Sequence, residues 1–146
     1  MNSMFDNQMS LSFPSKSVNE GLARTAVAAF VAQLDPTVEE PCDIKTALSE
    51  AVTNAVVHGY RNSIGTVHIQ AKRKGDRVIL RIRDKGCGIE DIPRAMEPLY
   101  TTCSTGECAG LGFAVMQQLC DKVKVRSAPG RGTTVVLERR ITPRGE

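Results

Sequence analysis

Glu50 and Asn54 are the two polar residues whose spacing most directly indicates chemistry. Residues at positions i and i+4 lie on one face of a helix. Small and apolar residues surround them in the sequence, so this part of the helix is expected to be largely buried. Polar groups in such a setting are either paired or functional. The helix alone slightly favours a plainer alternative, in which both side chains point to solvent or cap a neighbouring loop.

A second candidate is the segment Asp84-Lys85-Gly86-Cys87-Gly88, which directly follows a run typical of a strand. An acidic residue at a strand end, followed by two glycines, suits a pocket in which the backbone approaches a ligand closely. The same residue types also form ordinary turns. This segment therefore needs support from elsewhere in the chain.

A third candidate is Gly110-Leu111-Gly112-Phe113, which precedes an apolar run with helical spacing. Free N–H groups at a helix N-terminus attract anions, and glycines allow a phosphate group to come close. The segment is not a Walker loop, because no Gly-Lys-Ser/Thr follows it. It is not a Rossmann fingerprint either, because no parallel βαβ unit frames it.

The helices that carry these residues follow from the hydrophobic periodicity. The first is expected to begin at a capping box of Ser17 and Glu20 and to end near Asp35-Pro36. The second carries Glu50 and Asn54 and should end at Gly59, a natural C-terminal stop. The sequence also predicts a short helix, a flexible loop and a later helix: Asp91–Met96, Glu97–Ala109 and Leu111–Leu119.

Alternating or apolar runs predict five strands. They are Met9–Phe13, Thr66–Ala71, Arg77–Arg83, Lys122–Ser127 and Thr133–Arg139. Two long helices followed by a sheet that one helix interrupts predict an α+β fold, a two-layer α/β sandwich with helices on one face. Residues 1–8 are expected to be a disordered tip, and residues 9–142 a single domain.

The composition excludes several classes of protein. Of the 146 residues, 41% are hydrophobic and 24% are charged, which is ordinary for a globular domain. Only 4% are aromatic, and the formal net charge is +3, so a nucleic-acid surface is not expected. The basic run within residues 72–83 is interpreted as a soluble sheet face. No apolar run approaches a membrane span. Five scattered cysteines without zinc-finger spacing predict reduced thiols and a cytoplasmic location.

Taken together, the motifs form an ordered set. Glu-x-x-x-Asn, Asp-x-Gly-x-Gly, Gly-x-Gly before a helix, and Gly132-Thr133-Thr134 at the last strand occur in that sequence. This order resembles the GHKL ATPase superfamily, which includes gyrase and the ATPase domains of histidine kinases. The resemblance covers about residues 9–140 and implies the Bergerat ATP-binding fold, with a mixed, mostly antiparallel sheet. Residues 28–37 and 49–55 resemble, more narrowly, the anti-sigma serine kinases of bacterial spore formation.

The resemblance implies a role for each matching residue. Asn54 would bind Mg²⁺, Glu50 would act as general base, and Asp84 would accept a hydrogen bond from the adenine amino group. Thr133 would support the adenine network, and Arg24 would dock protein partners. Residues 97–109 would form a lid over ATP. The remaining nucleotide contacts implied by the resemblance are His58, Gly59, Gly86, Gly88, Ile89, Thr101, Thr102, Gly110, Leu111, Gly112 and Phe113.

The resemblance also implies partners. The chain would bind and inhibit a sporulation sigma factor and, with Mg-ATP, phosphorylate a serine of its anti-anti-sigma antagonist. It would form a homodimer, for which the edge strand at Met9–Phe13 offers a pairing surface. Related kinases carry a Lys and an Arg at lid positions that are Cys103 and Cys108 here. This loss of charge keeps two alternatives open: an ATP-gated sigma-binding module with little kinase activity, and a stress-response switch kinase of the same group.

Overall fold

The computed structural model describes residues 6–36, 39–60, 63–88 and 112–142. Within these ranges the chain forms five strands and three α-helices. They are β1 (Asn7–Pro14), α1 (Asn19–Val31), α2 (Glu39–Thr53), β2 (Thr66–Lys74), β3 (Arg77–Asp84), α3 (Gly112–Leu119), β4 (Lys122–Ala128) and β5 (Gly132–Arg140). A 3₁₀ turn, Ala32–Leu34, follows α1, and a π-helical turn, Asn54–Gly59, continues α2. The helix expected at residues 91–96 and the loop at 97–109 lie outside the described ranges.

The strands form one open sheet in the order β1-β2-β3-β5-β4. All four described strand pairs are antiparallel, which differs from the mixed sheet that we expected. Short turns join β2 to β3 and β4 to β5, and such connections reverse the chain direction, which accounts for two of the four pairs. Strands and helices in this arrangement confirm the predicted α+β fold.

One continuous hydrophobic core lies between the sheet and the helices. Every second residue in the first part of β2 is buried, namely Val67, Ile69 and Ala71. They face buried positions of all three helices, such as Val27, Leu48 and Met116 in the same cluster. Period-two alternation in the strands therefore leaves the opposite sheet face free of helices in the described part of the chain.

The beginnings of β1 and α1 differ from the sequence prediction. Asn7 and Gln8 pair with β2, so the strand begins two residues before Met9, and these two residues do not belong to the expected disordered tip. The helix α1 makes no capping box, because its N-cap residue, Val18, forms no side-chain cap hydrogen bond. Glu20 instead accepts a hydrogen bond of 3.3 Å from the Thr53 hydroxyl on α2.

The C-terminal strand is fastened to the first part of α2. Glu40 is buried, and its carboxylate accepts a hydrogen bond of 2.8 Å from the Thr142 backbone N–H. Arg139 forms an ion pair of 2.9 Å with Asp43. These contacts fix the helix whose other end carries the candidate site.

No helix in the described ranges is long and apolar enough to cross a membrane.

Candidate functional site

Glu50 and Asn54 meet the first residue of α3. A Cβ atom added to Gly112 would lie 3.2 Å from Glu50 Oε2 and 3.6 Å from both Oδ1 and Nδ2 of Asn54. Both side chains are only partly exposed. The fold thus brings the helix face and the second glycine of the Gly-x-Gly motif together, although some 60 residues separate them in sequence. The alternative in which both side chains point freely to solvent is not what the structure shows.

The Asn54 amide has an unusual environment. Its Nδ2 atom is buried and makes no hydrogen bond to any part of the described chain. Asn54 also begins the π-helical turn, which closes with a hydrogen bond of 3.2 Å from the Tyr60 N–H to the Ala55 carbonyl. Such turns are frequent at functional sites. An orphaned buried amide costs about 1–3 kcal/mol, so a bound group that pairs it would recover stability.

The same amide fits the Mg²⁺ site that the family resemblance implies. The oxygen and nitrogen of an Asn amide exchange places by rotation, and their assignment follows from the partners. Asn54 can therefore turn its oxygen toward a hard cation without breaking a hydrogen bond made by Nδ2. Glu50 and the N-terminus of α3 border the same space, and a helix N-terminus favours negative charge such as phosphate.

The Glu50 carboxyl group lies in a site that disfavours its charge. Burial raises the pKa of Glu50 above its usual value, and the nearby carboxylate of Glu20 raises it further. Glu20 is held toward α2 by its hydrogen bond from Thr53. A carboxylate with a raised pKa is a stronger proton acceptor once it is ionised, which is the property that a general base requires.

Asp84 ends β3 as a buried carboxylate with fixed hydrogen bonds. Its side chain is 6% exposed, and Oδ1 accepts a hydrogen bond of 2.9 Å from the Gly86 N–H. Burial raises the pKa of Asp84, while the backbone N–H groups of Gly86 and Thr133 oppose that rise. These bonds orient the carboxylate without neutralising it. The side chain can therefore accept a further hydrogen bond in a direction that the backbone determines.

Three glycines pack around Asp84. A Cβ atom at Gly59 would lie 2.8 Å from Asp84 Oδ1, and one at Gly86 would overlap the Gly59 carbonyl oxygen. Gly132 adopts a φ of +93° and packs against the Asp84 carbonyl oxygen. Since Gly59 ends the π-helical turn that Asn54 begins, this one turn connects the Glu50–Asn54 region with Asp84.

The second glycine of the Asp-x-Gly-x-Gly motif also has a partner within the chain. Gly88 adopts a φ of +78°, and a Cβ atom there would overlap the Ala128 carbonyl oxygen. Between the two glycines, the Cys87 N–H donates to Gly59 at 2.8 Å. The chain's own packing thus already requires glycine at positions 86 and 88. Contact of these glycines with an adenine base stays a prediction.

We expect Gly132→Ala to destabilise the fold strongly. The substitution combines a strained positive φ with a steric overlap against backbone that cannot move aside, and we expect the free energy of unfolding to fall by roughly 2–5 kcal/mol. Gly130→Ala is the matched control, because Gly130 has a φ of +77° but nothing within 4 Å of the added carbon. Urea denaturation of both variants measures the difference. Equal losses would show that φ alone is responsible.

Some residues at this site were not identified from the sequence. The Tyr60 hydroxyl accepts a hydrogen bond of 2.6 Å from the Lys85 N–H and donates one of 3.0 Å to the Thr66 carbonyl. Ser127 lies 2.8 Å from the Thr133 hydroxyl, oxygen to oxygen. Tyr60 could have been noticed because it follows Gly59 directly. Ser127 carries no such signal, because its role depends on the pairing of β4 with β5.

The remaining predicted site residues fall into three groups. Phe113 is buried in the core, so only its backbone can face the site. His58 belongs to the π-helical turn, and only its backbone is described. The others lie outside the described ranges: Ile89, Thr101, Thr102, Cys103, Cys108, Gly110 and Leu111, with the rest of the 97–109 loop.

Arg24 is exposed on α1, whereas Glu50 and Asn54 are only partly exposed. Two apolar side chains in or beside the same helix are also exposed, Val18 at 79% and Leu22 at 50%. An exposed arginine close in sequence to exposed apolar side chains is a composition that suits protein contacts.

Comparison with known proteins agrees with this geometry. Residues 13–139 match the model of the histidine kinase-like ATPase domain. A protein named anti-sigma F factor from Thermoanaerobacter pseudethanolicus is 54% identical over 137 residues, covering 94% of this chain and 96% of its own length. The anti-sigma F factor of Clostridium beijerinckii is 54% identical over 139 residues, covering 94% and 97%. That of Clostridium kluyveri is 50% identical over 136 residues, covering 93% and 96%.

A solved structure shares the fold. The crystal structure of the RsbU and RsbW domains of Rv1364c from Mycobacterium tuberculosis matches with a TM-score of 0.68 at 20% identity. The match covers 92% of this chain, which spans only 32% of that longer chain. At this identity the likeness concerns the fold alone.

Proposed function

This chain belongs to the histidine kinase-like ATPase domain family and, within it, to the anti-sigma F factors, and from this premise we propose its activity. It binds ATP with Mg²⁺, holds a sporulation sigma factor inactive, and phosphorylates a serine of the anti-anti-sigma antagonist. Phosphorylation releases the antagonist and leaves the sigma factor captive. The observation that carries this proposal is the meeting of Glu50, Asn54 and Gly112, with an unpaired buried amide among them.

Each residue has a distinct task in this proposal. Asn54 would hold the metal through its amide oxygen, and the α3 N-terminus would bind phosphate. Asp84, fixed by two backbone N–H groups, accepts a hydrogen bond from the adenine amino group and so selects adenine over guanine. When bound, Mg²⁺ offsets phosphate charge.

Glu50 takes the proton of the attacking serine hydroxyl. As this proton moves to the carboxylate, the serine oxygen bonds to the terminal phosphorus, and the bond to the leaving ADP oxygen breaks. The partly buried setting raises the pKa of Glu50, which suits a base that must hold the proton until the product leaves. A protein can support phosphoryl transfer by orienting the serine hydroxyl and accepting its proton, because the transfer requires little covalent chemistry from the protein.

A second candidate function keeps ATP binding without much transfer. Cys103 and Cys108 stand where related kinases carry cations, so charge that could hold the terminal phosphate is missing. Arginine contributes greatly to such transfers. The chain would then act as an ATP-gated sigma-binding module. A stress-response switch kinase of the same group, which would bind a different sigma factor, is a separate alternative that keeps the transfer activity.

One experiment separates these functions. The protein is incubated with ATP labelled in the terminal phosphate and with the proposed anti-anti-sigma antagonist, and phosphoserine is measured. The kinase proposal expects stoichiometric phosphoserine. If label is absent while ATP and sigma factor still bind, the kinase is overturned in favour of the binding module. Loss of ATP binding itself would contradict both.

Arg24→Ala is expected to weaken sigma-factor binding and leave ATP affinity intact. The side chain lies on the exposed side of α1, and truncation of a hot-spot arginine in an interface costs about 2 kcal/mol or more, which is roughly 30-fold in Kd. Titration calorimetry with sigma factor and, separately, with ATP measures both affinities. Lys45→Ala on α2 is the control cation. A parallel loss of ATP affinity would indicate a misfolded helix instead.

We also propose that the chain forms a homodimer. β1 is an edge of the described sheet, with one side paired to β2. An open strand edge of eight residues is a template for pairing with another chain. Sedimentation equilibrium distinguishes the dimer from the monomer.

A further inference from the structure

The sheet face opposite the helices carries a cluster of four cations. Arg81 and Arg83 are exposed on β3, where they alternate with buried apolar residues. Lys124 and Arg126 are exposed on β4, where they alternate with half-buried residues. The name basic patch is used below for these four residues.

The strand register brings the four cations together. β5 lies between β3 and β4, and Thr134 pairs with both Arg83 and Arg126. Val136 pairs in the same way with both Arg81 and Lys124. Neighbouring strands are about 4.8 Å apart and alternate residues about 6.7 Å apart, so the Cα atoms of the patch span about 10 by 7 Å. A small area of flat surface therefore carries four positive charges.

Acidic groups do not neutralise this patch in the described structure. None of its four residues forms an ion pair with a described residue. The row that contains Arg83 continues across β2 and β1 with His68 and Ser12. The row that contains Arg81 continues across the same strands with Gln70 and Ser10. Glu138 lies in the next row of β5, where it faces Lys122 at 3.6 Å. The positive charge is thus left to solvent and to partners.

We propose that the basic patch binds the phosphate backbone of double-stranded nucleic acid. A duplex carries a negative charge about every 1.7 Å of its axis, so several phosphates meet the patch at once and release counterions. Three of the four cations are arginines, whose planar fork matches phosphate. Contact of this kind is independent of base sequence.

Other occupants fit the patch less well. A protein interface needs an apolar centre, whereas Val136 is the only apolar side chain among the four cations. Exposed arginines gain little from isolated carboxylates. A second copy placed against this face would oppose cation to cation, and a dimer through β1 would leave the patch free. Single strands need large aromatic side chains for base stacking, and the described rows of this face contain no Phe, Tyr or Trp.

This inference revises the expectation from the sequence. The basic run within residues 72–83 was interpreted as a soluble sheet face, and a net charge of +3 is small. The pairing of β5 with both β3 and β4 changes this interpretation of the basic run, because it brings two further cations, from a segment about 40 residues away in sequence, close to Arg81 and Arg83.

Fluorescence anisotropy of a labelled 20-base-pair DNA of random sequence, titrated with the full chain, tests the proposal. Four phosphate contacts give a slope of log K against log salt of about −3.6, or roughly a 150-fold loss of affinity from 50 to 200 mM salt. Arg81→Gln with Arg83→Gln should halve that slope, so the loss falls to about 12-fold. Lys16→Gln with Lys45→Gln removes the same charge outside the patch and should keep the steeper slope.

Each other outcome has a defined meaning. An RNA duplex that binds with the same slope supports the proposal, since the phosphate chemistry is shared. Equal slopes for the two double variants would overturn the patch as the binding surface. Binding to poly-glutamate or to phosphatidylserine vesicles without binding to either duplex would also overturn it and assign the patch to an acidic polypeptide or a membrane surface. ATP binding, which uses the helix side, serves as the folding check for every variant.

Discussion

Asn54→Ala is expected to lower the affinity for Mg-ATP by at least about 100-fold, while ATP affinity in EDTA changes far less. Loss of a residue that merely supports a metal ligand costs 10–100-fold in affinity, and loss of a direct ligand should cost no less. Because Nδ2 makes no hydrogen bond within the described chain, the variant loses no native hydrogen bond from that atom. Titration calorimetry with and without Mg²⁺ measures both affinities.

Ser49→Ala is the matched control for this prediction. The Ser49 hydroxyl is likewise buried without a hydrogen-bond partner in the described structure, and it lies on the same helix. Its removal should leave the Mg²⁺ dependence unchanged. If Asn54→Ala weakened ATP binding equally in Mg²⁺ and in EDTA, its amide would contact the nucleotide or shape the helix, and the metal would be held elsewhere.

Glu50→Gln is expected to bind ATP within about threefold of the native protein and to lose at least about 100-fold in phosphoserine formation. General-base catalysis contributes 10²–10⁴-fold, and an amide of the same shape cannot accept the proton. Single-turnover transfer to the antagonist measures the rate. Glu39→Gln at the exposed start of α2 is the control, and it should transfer normally.

The direction in which Glu50→Gln changes the free energy of unfolding follows from the pKa of Glu50. Burial and Glu20 raise the pKa of Glu50 in the folded state, so its ionised form is less favourable there than in the unfolded chain. That cost is present above the folded-state pKa and disappears as the pH falls below the unfolded value. Gln never ionises, so the variant should melt no lower than the native protein at pH 7. Unchanged transfer in a well-folded variant would assign the base elsewhere.

The sequence predicted those parts of the fold that depend on local periodicity. The alternation in β2 and β3 and the glycine-bearing turn between them located a hairpin that the structure contains. The end of the first helical segment was also located, since the 3₁₀ turn that follows α1 is ended by Asp35, before Pro36, with a φ of 49°. Glu50 and Asn54 shared a helix face by spacing alone. These predictions needed information from only a few neighbouring residues.

Features that depend on distant pairing could not be predicted in this way. The π-helical turn at Asn54 changes the expected α-helical geometry without any glycine or proline at its start. The proximity of Gly112 to Glu50 depends on how α3 packs against α2. The basic patch requires β5 to insert between β3 and β4, although β4 precedes β5 in sequence. Glu20, assigned to a cap, instead bonds to another helix.

The packing of Gly59, Gly86 and Gly132 around Asp84 limits how this chain can evolve. Gly86 packs against the Gly59 backbone and Gly132 against the Asp84 backbone, so neither can gain a side chain unless the main chain moves, and a Cβ atom at Gly59 would displace the Asp84 carboxylate. If Asp84 recognises the base, as we propose, a change in base preference therefore has to come from residue 84 itself or from residues beyond this cluster. Substitution of these glycines would change nucleotide preference and the stability of the fold together. Relatives with altered specificity should therefore retain all three glycines.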